Sequence, residues 1–77
     1  MLERGGEMQY QEVDSSSIAA VAYDARTMTL GIRFHGQREY HYSRVPAVEY
    51  QQLLTTESIG RYFVKRIRNE YTAIRTS

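Results

Sequence analysis

The stretch that most constrains this chain is Thr29 to Tyr42, T-L-G-I-R-F-H-G-Q-R-E-Y-H-Y. Leu30, Ile32 and Phe34 alternate with Gly31 and Arg33. After His35-Gly36-Gln37, Tyr40 and Tyr42 alternate with Glu39 and His41. Period-two alternation on both sides of a short Gly-containing loop predicts a β-hairpin. A three-residue loop centred on Gly36 pairs Phe34 with Arg38, Ile32 with Tyr40 and Leu30 with Tyr42. Paired residues share a face, so both tyrosines join the apolar face that the rest of the chain must cover. A bulge at Gly36 would reverse that assignment.

Upstream, Ile18-Ala-Ala-Val-Ala-Tyr23 is short, apolar and bounded by polar turns, as a mostly buried strand is. Asp24 is placed to accept from backbone N–H groups in the following turn. These segments predict a three-stranded antiparallel meander from Ile18 to Ser43. Met8 to Val13 alternates weakly and predicts at most a short edge strand. The period then changes. Pro46 suits a first helical position, and Ala47, Tyr50, Leu53 and Leu54 predict a short helix from Pro46 to Leu54. Thr55 to Ser58 offers caps for a second helix, Ser58 to Ile74. Phe63, Val64, Ile67, Tyr71 and Ile74 form its apolar stripe. Gly60, near its start, leaves room for a close neighbour. The expected fold class is therefore α+β: a three-stranded antiparallel meander followed by two helices packed on one face. Leu30, Ile32, Phe34, Leu53, Phe63 and Ile67 are the expected core. Residues 1–12 read as a poorly ordered leader and 13–77 as one domain.

With 77 residues and no Cys, neither disulfides nor thiolate metal sites are available. A homo-oligomer is the expected way to bury more apolar surface. No apolar run reaches the ~20 residues of a membrane helix, and the N-terminus lacks a signal-peptide core, so a cytoplasmic protein is expected. The net charge of +1 hides an asymmetry. Residues 1–14 hold four acids against Arg4, a net of −3, whereas residues 15–77 hold nine cations against five acids, a net of +4. All but one of those nine cations are Arg, whose planar fork suits phosphate and carboxylate.

The order Ser16-Ser17-Ile18, Tyr23-Asp24, Leu30, Phe34-x-Gly36, Tyr40-x-Tyr42, Val45-Pro46, Tyr50, Ser58-x-Gly60 and Tyr62-Phe63 resembles the KTSC domain. That short bacterial domain takes its name from the C-terminal extension of some lysyl-tRNA synthetases, and it also occurs alone in small bacterial and phage proteins. The resemblance spans about residues 13 to 72. Its hallmark Tyr-x-Tyr is matched by Tyr40-His41-Tyr42. Its common Asn after the Tyr-Phe pair is replaced here by Val64. The synthetase context implies RNA binding.

Several residues are candidate ligand contacts. Tyr40 and Tyr42 would stack bases if they faced outward, although the hairpin pairing favours core positions. Arg33 and His41 lie on the opposite face and suit a phosphate, or else a cross-strand Arg33–Glu39 pair. Arg38 and Arg44 sit near the strand ends. Arg61, Lys65, Arg68 and Arg75 form a second stripe on the second helix, with Arg66 beside it, suited to a nucleic-acid backbone. His35 and His41 lack ligand spacing, so no metal is expected. Ser15-Ser16-Ser17 has no partner base or nucleophile turn, and no cofactor fingerprint is present. The expected function is non-enzymatic binding of a phosphate-bearing ligand, RNA first. The alternatives are an oligomeric phage-type protein that sequesters a small (cyclic) nucleotide signal between subunits, and a protein-interaction module without nucleotide.

Overall fold

The computed structural model describes residues 8–76. Five antiparallel strands lie in sequence order: β1 (Gln11–Glu12), β2 (Ile18–Asp24), β3 (Thr29–Phe34), β4 (Glu39–Tyr42) and β5 (Ala73–Arg75). Helix α1 (Ala47–Thr55) and helix α2 (Ile59–Tyr62), which continues as a π-helical turn over Phe63–Ile67, connect β4 to β5. The α+β class and the central meander are as expected. Among the described residues the strands number five rather than three.

The hairpin has the predicted register, with Leu30 opposite Tyr42, Ile32 opposite Tyr40 and Arg33 opposite Glu39. Phe34 N–H donates to Arg38 C=O at 2.8 Å and closes the loop. In β2 a bulge between Ile18 and Ala20 inserts one residue. Ile18 and Val21, three apart, can then both face the core, which strict alternation forbids. Asp24 Oδ1 accepts from Arg26 N–H at 3.0 Å, the expected turn.

The core lies between the sheet and the helices. Leu30, Ile32, Leu53, Phe63 and Ile67 are buried together with Ile18, Val21, Tyr42 and Val45, and Phe34 packs against them half-buried. Phe63 meets Phe34 and Tyr42 edge-on, with ring centroids 5.5 and 5.6 Å away.

The second helix departs from expectation. It ends at Ile67 rather than Ile74, and Arg68 N–H donates to Phe63 C=O, five residues back, at 2.9 Å. That wide turn directs Phe63 and Ile67 inward and leaves Val64 44 % exposed. Ile74 and Arg75 are in β5, not on a helix, and Ile74 is 62 % exposed. The physical reason is the edge of β4, whose outward backbone groups would lack partners. Residues 73–75 supply them, with Ser43 N–H to Thr72 C=O and Thr76 N–H to Glu39 C=O flanking the pair at 2.9 and 2.8 Å. Of the leader expected over residues 1–12, residues 1–7 lie outside the described residues. Met8 to Glu12 reach the sheet and contribute β1. Among the described residues, no helix is long and apolar enough to cross a membrane.

Candidate functional site

Two clusters of polar side chains stand out. The first is on the sheet face away from the helices. Tyr10 lies there across Gly31, where a Cβ would fall 2.3 Å from the tyrosine oxygen and 3.0 Å from Met8 Sδ. Only a residue without a side chain admits that ring. The small floor continues with Ala20 and Ala22, 3 % and 0 % exposed although they face away from the main core. Arg33 places its guanidinium 4.0 Å from the Tyr10 ring centroid. The Tyr10 hydroxyl donates to Glu39 Oε2 at 2.8 Å, and Glu39 also takes Arg33 Nε at 3.3 Å and His41 Nε2 at 3.2 Å. The predicted Arg33–Glu39 pair is therefore present, but under an aromatic cover rather than on an open face.

Electrostatics follow from that geometry. Burial and the neighbouring Glu39 push the Tyr10 hydroxyl far above the ordinary phenol range. For Glu39, burial alone acts to raise the carboxyl, and the hydrogen bonds from Tyr10, His41 and Arg33 outweigh it, so the net shift is downward. A carboxyl lowered in the folded state adds stability that is complete above its unfolded value, about 4.3. That stability is lost as pH falls through the folded value. The advantage of the parent over Glu39→Gln in urea unfolding is expected to be full near ~pH 6 and to shrink steadily as the medium is acidified below the ordinary carboxylate range. A gap that persists unchanged into acid would show that Glu39 acts by packing alone.

The second cluster lies where the serine loop meets the second helix. Asp14 to Ser17, Glu57 to Arg61, Val64 and Lys65 line a hollow of 630 Å³. A Cβ on Gly60 would sit 3.1 Å from Ser17 Oγ, so this glycine sets how closely loop and helix approach. Ser15 Oγ accepts from the N–H groups of Ser17 and Ile18 at 3.3 and 3.2 Å. Ser58 Oγ caps the helix by accepting from Arg61 N–H at 3.3 Å. His35, in the hairpin loop, holds the serine loop from its other side. Its N–H donates to Ser17 C=O at 3.1 Å, and its Nε2 lies 3.0 Å from Ser15 C=O. A carbonyl only accepts, so Nε2 carries the proton. A second hollow of 530 Å³ shares Arg61 and Lys65 and extends to Tyr62 and Arg66. Arg61 and Lys65 therefore stand between two depressions.

Beside this ridge, Glu49 accepts from the hydroxyls of Tyr62 and Tyr71, tying α1 to the end of the second helix. Burial, then Glu49, push the Tyr62 hydroxyl up to about 12.

The residues singled out from sequence are dispersed. Tyr42 is 4 % exposed with its ring against Phe63, and Tyr40 is half-buried on the same face. Neither forms an outward stacking platform, because the hairpin register turns both toward the helices. Arg33 and His41 are drawn into the Tyr10 cluster. Arg38 has its guanidinium 5.8 Å from the Phe34 ring centroid, by the hairpin loop, and Arg44 is exposed beyond the other end of β4 with φ 59°. Arg61, Lys65 and Arg68 are exposed on the second helix and its end. Among the described residues, no group of three His, Asp or Glu is placed to hold a metal ion. Sequence reasoning missed Tyr10 and did not connect Ser15–Ser17 with Ser58 and Gly60. A signal for the second was available: Ser16-Ser17 and Ser58-x-Gly60 both carry the family resemblance, and they meet in this hollow.

Comparison with known proteins agrees. The KTSC domain profile matches residues 14–71. A protein of Tsukamurella paurometabola is 36 % identical over 64 residues, covering 83 % of this chain and 96 % of its own length. A protein of Stutzerimonas stutzeri is 34 % identical over 56 residues, covering 73 % and 79 %. The crystal structure of a KTSC domain protein from Yersinia pestis superimposes with a TM-score of 0.89 at 32 % identity, covering 92 % of this chain and all of that one. The chain belongs to the KTSC domain family.

Proposed function

We propose that this protein is a non-enzymatic binding module for a phosphate-bearing ligand, with RNA as the first choice. One observation carries the reading. Arg61 and Lys65 project from the second helix at the edge of a hydroxyl-lined hollow, and Arg68 is exposed just past the helix end. None of the three is in an ion pair among the described residues. A line of unpaired cations suits an extended chain of phosphates. A compact nucleotide needs converging forks. Arg33 is engaged by Glu39, while Arg38 and Arg44 flank opposite ends of β4, so these three do not converge within one subunit. An RNA ligand is consistent with a cytoplasmic protein.

The test is a titration with single-stranded RNA of increasing length at two salt concentrations. Affinity is expected to rise with length and to fall steeply with salt. No binding to any RNA at low salt would overturn the reading. The alternative, sequestration of a small nucleotide between subunits of a phage-type oligomer, draws on the exposed Val48, Val64 and Ile74. It predicts a dimer or larger species by sedimentation and stoichiometric binding of a mononucleotide or cyclic dinucleotide. A monomer mass at every concentration would remove that alternative.

A further inference from the structure

The hollow between the serine loop and the second helix has a polarity that its charge does not reveal. Asp14 and Glu57 balance Arg61 and Lys65 around it, so its formal charge sums to zero. The hydrogen bonds are less even. The oxygens of Ser15 and Ser58 already accept backbone N–H groups. What remains to each hydroxyl is chiefly its proton, which it can donate. The carbonyls of Ser15 and Ser17, which would repel an anion, are taken by His35. The wall made by the loop and by Ser58, Arg61 and Lys65 therefore offers donors to an incoming group. Its floor is closed where Ser17 meets Gly60.

We infer that this hollow receives the terminal phosphomonoester of an RNA rather than a phosphate within the strand. The inference rests on the RNA reading above. A monoester brings three terminal oxygens and a charge of about −1.5 to −2 near neutral pH. That matches a surplus of hydroxyl and cationic donors. It also has a single substituent, so it can enter a hollow closed at its floor. An internal phosphodiester has two non-bridging oxygens, one charge and two chain directions to accommodate. Its neighbouring phosphates would meet the carboxylates of Asp14 and Glu57. Those carboxylates are instead suited to accept from hydroxyls of the terminal ribose. Arg61 and Lys65 then serve both the end group and the first backbone phosphates, and Arg68, which does not line the hollow, serves only the backbone.

The experiment compares one oligoribonucleotide in three forms: 5′-phosphorylated, 3′-phosphorylated, and hydroxyl at both ends. Binding is read by fluorescence anisotropy at fixed salt. One phosphorylated form is expected to bind about tenfold more tightly than the hydroxyl form, and which one identifies the end recognised. Val64 lines the hollow and is exposed, so it can be changed without disturbing the core. Val64→Glu should erase the preference and Val64→Lys should enlarge it, while Arg68→Gln should weaken all three forms alike and leave the ratio unchanged. Equal affinity of the three forms, or a preference indifferent to Val64→Glu, would overturn the inference and leave RNA binding standing. Absence of binding to all three at low salt would overturn both.

Discussion

Replacing Phe63 with Ala is expected to cost ~3–5 kcal/mol and to lower the urea midpoint sharply. Phe63 is 4 % exposed and touches the hairpin from above, edge-on to both Phe34 and Tyr42. It is the aromatic bridge between the two ends of the apolar sheet face. Truncation removes a large apolar area and leaves a cavity between the sheet and the helices that local shifts close only in part. A chain of 77 residues has a total stability of roughly 4–12 kcal/mol, so the loss is a large fraction of the whole. Val64→Ala, at the next position but 44 % exposed, should stay within about 0.5 kcal/mol of the parent. Urea unfolding of the two variants reads the contrast directly. A Phe63→Ala protein that melts with the parent would show that the helical layer is not what stabilises the sheet.

The second large effect is on ligand affinity. Each cation that neutralises a phosphate of a single strand releases ~0.7 of a counterion, so three contacts contribute about two units of salt slope. The triple variant Arg61→Ala, Lys65→Ala, Arg68→Ala is expected to lose that slope and about 10²–10³-fold in affinity at ~50 mM salt. Single changes should each remove about one unit of slope or less, and should act similarly on every RNA sequence. All three residues are exposed, so the loss should come without a change in melting temperature. A triple variant that binds RNA as the parent does would move the interface elsewhere. If one single change abolished binding while the other two did nothing, the ligand would be compact rather than a chain of phosphates.

These two expectations draw unequally on the sequence. The core around Phe63 was legible because burial imposes a period. A three-residue loop at Gly36 puts Leu30, Ile32, Tyr40 and Tyr42 on one face, and a slip by one residue would have turned both tyrosines to the other. The arginines were legible only as a stripe, because an exposed cation obeys no pattern that packing enforces. Their sequence spacing could not show that Arg33 is held by Glu39 or that Arg61 and Lys65 border a hollow.

The sequence by itself determined the α+β class, the meander and its register, helix α1 after Pro46, and most of the core. Each of these follows from local chemistry: alternation, a turn of defined length, or a proline. Only the tertiary structure decided where the second helix ends, where Tyr10 lies and what the serine loop faces. Ala73-Ile74-Arg75 has no strong preference against a helix, and it becomes a strand because β4 has backbone groups to satisfy. Tyr10 is one tyrosine in an acidic stretch until Gly31 makes space for its ring. Ser17 and Gly60 carry no periodicity that links them, and they meet because the sheet and the helices bury a common apolar face. Contacts between residues far apart in sequence come from that shared burial, which no local pattern encodes.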